Sequence, residues 1–316
     1  MRHAEHVLNA LSCSKFASRS NVAASWRRSH EAHGIDLFER AQQHVIEQEE
    51  LKRTREQNGQ FISVAAPRLD KLFNLVGASG CTVVLTNAEG VILEQRNSDA
   101  DNGELQKCGL LPGAMWGEET QGTNGIGTCL AERRSVIIHR DQHYLPKNIA
   151  MTCIGVPIHG IKGELIGVLD VSSARRDQTN ELNRLIATST KYAANEIEAQ
   201  NFRAHFARER IVLAGHGNSD QTALVAIDVN DCVVGATRAA RKLFNWKLES
   251  DLLPIAATDI LEETPESRGF ARAEKAAIMK ALARSNWNMA GAARDLGIGR
   301  ATLYRKLNRL GIKRAD

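Results

Sequence analysis

The chain contains no Gly-Lys dipeptide, no Cys-x-x-Cys pair and no apolar run approaching the roughly 18 residues of a membrane span. Each absence removes a class of function. Without a Gly-Lys step there is no Walker loop G-x-x-x-x-G-K-[ST], in which backbone amides and a lysine meet phosphates, so a P-loop ATPase is excluded. Six scattered cysteines (Cys13, Cys81, Cys108, Cys129, Cys153 and Cys232) argue against a zinc ribbon or a disulfide framework and read mostly as buried thiols. The N-terminus, MRHAEHVLNALSCSKF, lacks the long apolar segment of a secretory signal, so a cytoplasmic protein with no membrane partner is expected. His139 and His143 stand four apart with Cys153 following, but the glutamate of H-E-x-x-H is missing between them. They read as a polar loop at a pocket mouth. No metal, no cofactor and no enzymatic activity are expected.

What is present is concentrated at the C-terminus. Residues 271–316 carry 11 Lys and Arg against 3 Asp and Glu, while the remainder carries 30 against 34. A basic end on a mildly acidic body of 316 residues, 43% of them hydrophobic, suggests a nucleic-acid-binding tail on one or two further modules. Within that tail, AGAARDLGIGRATLYRKLNRL (residues 290–310) reads as two short helices meeting across Gly297-Ile298-Gly299, a helix-turn-helix. Leu303, Leu307 and Leu310 recur at i, i+4 and i+7 and form an inward stripe, leaving Thr302, Arg305 and Arg309 on another face. A recognition helix places its N-terminal side chains in the major groove, so Arg300, Thr302 and Arg305 are positioned for base edges or phosphates. Tyr304, Lys306 and Arg309 join this set, with Lys313 on a phosphate-contacting tail. Double-stranded DNA is the expected partner, bound as a homodimer because one such module covers few base pairs.

The body reads as α+β. Two helical stretches, Asn21–His30 and a long charged helix over 36–60, precede a helical run from Ala65 that leads to Cys81–Thr86. The turn Asn87-Ala88-Glu89-Gly90 and Val91–Gln95 complete a hairpin, and Ser135–His139, Thr152–His159 and Leu165–Val171 add three strands. Five strands with a hairpin at each end imply a mostly antiparallel sheet with flanking helices. Trp116–Thr128 is rich in glycine but follows no strand of a βαβ unit, so it reads as a structural loop rather than a phosphate cradle. Beyond it, Glu181–Glu209 forms a helix whose Leu182, Leu185, Ile186, Ser189, Tyr192, Ala193, Glu196 and Ile197 approximate a 3.5-residue seam, a candidate dimer interface around Tyr192 and Ile197. Gly215–Asp220 reads as a linker, Ala223–Asp228 and Cys232–Gly235 as a hairpin followed by a helix over Ala239–Phe244, and Leu261–Arg268 as an acidic linker.

Glu274–Ile278, Asn286-Trp287-Asn288, Ala292–Ile298 and Ala301–Leu307 resemble the Fis-type helix-turn-helix, with Gly299 where that family usually has a capping Ser or Asn. WGEETQGTNGIGTCLAERRSVIIHRDQHY and CIGVPIHGIKGELIGVLDVSS, with Ser25-Trp26-Arg27-Arg28-Ser29 upstream, resemble the GAF sensor domain of acetoin-catabolism-type regulators of sigma-54 promoters. The hairpin after residue 220 resembles the opening of a PAS-type segment, too short for a whole domain. These resemblances imply an N-terminal helical region (1–60), a GAF sensor with its exit helix (61–210), a truncated PAS-like segment (221–260) and a Fis-type helix-turn-helix (270–316). Such regulators usually carry a central AAA+ ATPase; about sixty residues between the exit helix and the Fis-type segment leave no room for one. The resemblance implies a ligand-responsive transcriptional regulator without ATPase activity. RNA polymerase or a full-length sigma-54 activator are further expected partners, and the small-molecule effector is unspecified. Candidate ligand-binding residues are Trp116, Glu118, Thr123, Asn124, His139, His143 and Cys153. Two other readings stay open: a nucleoid-like architectural protein whose sensor is only a scaffold, and a metal or thiol redox sensor.

Overall fold

A computed structural model of the chain describes residues 2–12, 20–38, 43–98, 109–175, 177–215, 221–252, 255–260 and 270–312. They fall into two compact units, Met1–Ile255 and Ala256–Asp316. Lys313, Cys13, Cys108 and the acidic linker expected at Leu261–Arg268 lie outside the described residues. No described helix is long and apolar enough to cross a membrane.

The first unit begins with α1 (Arg2–Ser12) and α2 (Asn21–Arg27), the latter continuing into a π-helical turn over Arg28–Ala32. The long charged helix expected over 36–60 is a shorter one: α3 spans Gln48–Gln57, breaks at Asn58, and α4 runs Gly59–Val76. No residue of α3 is fully buried, and it is tied to β2 by the Arg55–Glu94 ion pair. α4 is held by a buried stripe of Phe61, Ala65, Leu69, Leu72 and Val76 at three- and four-residue spacings.

Five strands follow: β1 (Cys81–Thr86), β2 (Ile92–Arg96), β3 (Val136–His139), β4 (Thr152–His159) and β5 (Leu165–Ser173). Their order is β2-β1-β5-β4-β3, and every neighbour is antiparallel, as the two terminal hairpins imply. Side-chain alternation splits the sheet into two cores. Val83, Leu85, Ile154, Val156, Leu169 and Val171 face α4 and the long helix α7 (Asn180–His205); Val84, Cys153 and Val168 face Trp116, Ile126 and Cys129. The stretch read as a loop over Trp116–Thr128 contains two helices, α5 (Glu118–Gln121) and α6 (Gly125–Glu132). Glycines concealed the second one. A Cβ at Gly155 of β4 would lie 2.1 Å from the Gly125 carbonyl oxygen, so α6 sits directly on the sheet where neither partner has a side chain.

The dimer seam read into α7 is corrected by the core. Ile186, Ala193, Ala194 and Ile197 point into the sheet, with Ile197 0% exposed, while Leu185 and Tyr192 are 67% and 63% exposed on the opposite side. A residue wholly inside its own core has no surface to offer a partner. The helix also stops at His205, short of Glu209, and the chain turns into a strand that the sequence reading did not anticipate, β6 (Arg210–Gly215). It pairs antiparallel with β7 (Ala223–Ile227), which pairs with β8 (Cys232–Ala236), and the two-residue β9 (Ile255–Ala256) ends the order β6-β7-β8-β9. Phe202 and Phe206 at the end of α7 lie on this sheet against Leu224, Ala226 and Ile211, and α8 (Arg238–Leu243) follows β8.

The second unit contains α9 (Phe270–Arg284), α10 (Met289–Asp295) and α11 (Arg300–Arg309), which enclose Ile278, Ala281, Leu282, Ala292, Ala293, Leu303 and Leu307.

The two sides of α7 predict a clear contrast. Ile197→Ala deletes packing from the core and costs about 2–5 kcal/mol, whereas Tyr192→Ala on the open side changes stability by less than about 0.5 kcal/mol. Urea titration of both variants measures the difference.

Candidate functional site

In the second unit, the turn between α9 and α10 is made by Asn286 and Trp287, both left-handed (φ 49° and 63°), and the Trp287 amide donates to the Leu282 carbonyl at 2.8 Å. Asn288 then caps α10, its Oδ1 accepting the Ala290 and Gly291 amides at 3.0 and 3.2 Å. Gly297 adopts φ 64° and lets the Ile298 amide return to the Ala293 carbonyl at 3.0 Å, closing one helix and aiming the next. Gly299 occupies the cap position of α11 in extended conformation without a side-chain bond. The cost against Ser is a few tenths of a kcal/mol.

Leu303 and Leu307 are buried on α11, and Arg300, Tyr304, Arg305 and Arg309 are exposed. The Arg305 guanidinium lies 3.5 Å from the Thr302 hydroxyl, and among the described residues neither Arg300 nor Arg305 has a carboxylate partner. Lys306 and Arg309 differ from them. Each pairs with one carboxylate oxygen of Glu274 on α9, and these bonds hold the Glu274 carboxyl below its ordinary range, the Lys306 hydrogen bond contributing most.

In the first unit, the candidate ligand residues are drawn into three internal assemblies. Glu118 is 2% exposed; its Oε2 accepts from Arg28 Nε at 2.6 Å, and its Oε1 accepts from Arg28 at 3.0 Å, from Thr128 Oγ1 at 3.1 Å and from Ser25 Oγ. Thr123 joins through its hydroxyl, 2.7 Å from Ser25 Oγ. Arg28 also reaches Glu132 at 3.2 Å, and the Glu118 hydrogen bond is the main cause raising its pKa. Asn124 uses its whole amide: Oδ1 caps α6 by accepting the Ile126 and Gly127 amides at 2.9 and 2.8 Å, and Nδ2 donates to the Trp116 and Gly122 carbonyls at 3.2 and 2.8 Å. Trp116 is buried and donates from Nε1 to the Gly109 carbonyl at 3.0 Å.

His143 is fully buried, and burial pushes its pKa down to about 4. Its Nδ1 donates to the Arg140 carbonyl at 2.9 Å, which leaves the Nε2 lone pair facing Cys153 Sγ at 3.3 Å. That geometry lets the neutral imidazole accept a hydrogen bond from the Cys153 thiol. His139 is separate, with Nδ1 2.8 Å from Thr152 Oγ1. The N-terminal segment clasps the same loop: Trp26 Nε1 donates to the Gln142 carbonyl at 2.8 Å, and His3 Nε2 donates to the His143 and Tyr144 carbonyls at 2.9 and 3.2 Å.

Three residues of this region were missed as site residues. Ser25 and Arg28 stood in the sequence only as part of a lead-in motif. Asp170 was hidden inside the apolar run LIGVLDV, where a single carboxylate among branched side chains is the available signal. It is fully buried beside Gly125 and opposite Gly155 in the register; Ser172 Oγ donates to its Oδ2 at 2.5 Å, and its Oδ1 has no hydrogen-bond partner among the described residues. Burial pushes the Asp170 carboxyl up to about 7.

Two measurements follow. Asp170 binds its proton more tightly folded than unfolded, so stability falls as pH rises from the unfolded carboxylate range near 4 toward about 7, at up to about 1.4 kcal/mol per pH unit. Asp170→Asn keeps the Ser172 bond and flattens that segment of a stability–pH profile. Arg28→Met leaves the buried Glu118 without its cation and lowers stability by about 2–3 kcal/mol, less than a wholly buried pair because Arg28 is 35% exposed.

Comparison with known proteins agrees with both units. Residues 1–199 match the family model described as MimR, N-terminal domain, and residues 270–310 match the model described as bacterial regulatory protein, Fis family. The acetoin catabolism regulatory protein of Cupriavidus necator is 27% identical over 243 residues, 76% of this chain and 36% of that protein. The acetoin dehydrogenase operon transcriptional activator AcoR of Bacillus subtilis is 30% identical over 176 residues, 56% of this chain and 29% of that protein. The chain thus spans about a third of the length of these curated relatives. In fold it is similar to the crystal structure of the E. coli DhaR(N)–DhaL complex, with a TM-score of 0.52, 14% identity, and coverage of 76% of this chain and 80% of that one. The chain belongs to the MimR N-terminal domain family, and its residues 270–310 form a Fis-type helix-turn-helix.

Proposed function

We propose that the protein is a ligand-responsive transcriptional regulator that binds operator DNA as a dimer and acts without hydrolysing ATP. The observation that carries the reading is α11: a helix anchored by Leu303 and Leu307, whose opposite side presents Arg300, Thr302 and Arg305 with no carboxylate partner among the described residues. Guanidinium and hydroxyl groups on the first turns of such a helix fit guanine edges and phosphates in the major groove. Tyr304, 48% exposed, flanks the same turns, and Lys313 extends the basic tail. With DNA as its target, the protein is assigned to the cytoplasm.

Sensing is assigned to residues 61–210, with the effector held in the layer between the five-stranded sheet and α5–α6, where Trp116, His143, Cys153 and the buried Asp170 gather. Residues 221–260 form the PAS-like segment, and no Gly-Lys step separates it from the DNA-binding module at 270–316. Motor function, if promoter opening by sigma-54 polymerase is needed, is supplied by another chain, through RNA polymerase or a complete activator. The burial of Cys153, 2% exposed, weighs against the thiol-sensor alternative.

Footprinting on genomic fragments tests the assignment. Protected half-sites lie about one helical turn, roughly 34 Å, apart or a multiple of it, and Arg305→Ala weakens operator binding by about 1–3 kcal/mol with relaxed preference at one base pair. Protection without sequence preference supports the architectural alternative instead.

A further inference from the structure

The basic face of α11 is divided. Four cations stand on this helix, Arg300, Arg305, Lys306 and Arg309, and the last two converge on one side chain of α9. Glu274 is 20% exposed, and each of its oxygens engages one cation, Oε1 with Lys306 Nζ and Oε2 with the Arg309 guanidinium. Within residues 270–312 the other acidic residue is Asp295, which lies 3.8 Å from Arg284. Among the described residues, the acid that meets the recognition helix is therefore engaged with the two cations farthest from its N-terminal, base-reading turn.

Non-specific affinity for DNA comes from cations that displace counterions at phosphates, whereas base discrimination comes from groups at base edges. We propose that Glu274 sets the ratio of specific to non-specific binding by holding Lys306 and Arg309 away from the phosphate backbone, so that Arg300, Thr302 and Arg305 carry recognition. This rests on the DNA-binding reading above. Glu274 is a positioning residue: it acts through the two cations it engages, lowering the charge they present from two to one.

The test uses the full chain, its footprinted operator duplex and a scrambled duplex of equal length, with Kd measured by fluorescence anisotropy across a range of salt concentrations. Glu274→Gln frees two cations. Affinity for the scrambled duplex rises by up to about tenfold per freed cation at 0.1 M salt, the log–log salt slope steepens by about 0.9 to 1.8, and the preference for operator narrows. A merely structural role moves the other way, weakening both duplexes with no steeper slope, and that result overturns the proposal. A second variant keeps Glu274 and removes its partners, Lys306→Gln with Arg309→Gln, so the outcome does not depend on Glu274→Gln folding. The salt slope of this double variant on the scrambled duplex stays at the parent value; a slope shallower by about 1.8 means that both cations already meet phosphates and overturns the assignment. If the parent chain binds neither duplex, the DNA-binding reading fails with it, an outcome distinct from a parent that binds with an unaltered slope in Glu274→Gln.

Discussion

The constraint on which the first unit depends is the burial of the Glu118 carboxylate. An ionised group removed from water is tolerable only when its lone pairs are filled and a countercharge is near. Here the donors come from two separate parts of the chain: Ser25 and Arg28 from the helical segment around residues 21–32, and Thr128 from α6. Satisfying one carboxylate thus fixes where the N-terminal helix crosses the sensor and how α6 lies on the sheet. The π-helical turn at Arg28–Ala32 begins at the residue that supplies the guanidinium. Trp26 and His3 then bond to backbone carbonyls of the 140–145 loop, extending the same clasp across the loop that presents His143.

Two cores share one sheet, and they are built differently. The core under α4 and α7 is mostly apolar, built on Phe61, Leu69, Leu72, Leu85, Ile154, Leu169 and Ile197, with Asn183 and Thr190 as buried polar residues of α7. On the opposite face the layer admits polar groups: Asp170, Ser172, Thr82 and the Cys153–His143 pair stand beside Trp116 and Ile126. Polar atoms buried away from water cost stability unless paired, and this face carries an ionisable carboxyl, Asp170, together with the His143–Cys153 contact. Those groups are the reason for proposing the effector site on this side.

In the second unit stability and recognition are separated by helical periodicity. Leu303 and Leu307 close a small core with Ile278, Leu282 and Ala292, while the base-reading candidates lie off that stripe on the same ten-residue helix. Caps do the positioning: Asn288 starts α10, Gly297 ends it, and the absence of a side-chain cap at Gly299 leaves the orientation of α11 to its leucines and to Glu274.

Local sequence determined the elements whose signal is periodic. The strands Cys81–Thr86 and Thr152–His159 and the leucine stripe of α11 are legible because β alternation and the 3.6-residue helical repeat are properties of neighbouring residues. The Fis-type end was equally legible, since its capping Asn288, its Gly297 turn and its leucines all lie within some twenty-five residues of one another. Tertiary structure decided what periodicity leaves ambiguous. The row containing Ile186, Ala193 and Ile197 suits a dimer seam or a sheet core equally well, and only the position of the sheet chose the core. The glycines around residue 125 resembled a loop until Gly155 supplied a surface that an α-helix can approach without side chains. Glu118, Ser25 and Arg28 stand up to 93 residues apart in sequence, and Glu274 stands 32 residues from Lys306. No local pattern links charges at such distances, because their pairing is set by how whole elements pack and by the need to satisfy each buried or half-buried carboxylate.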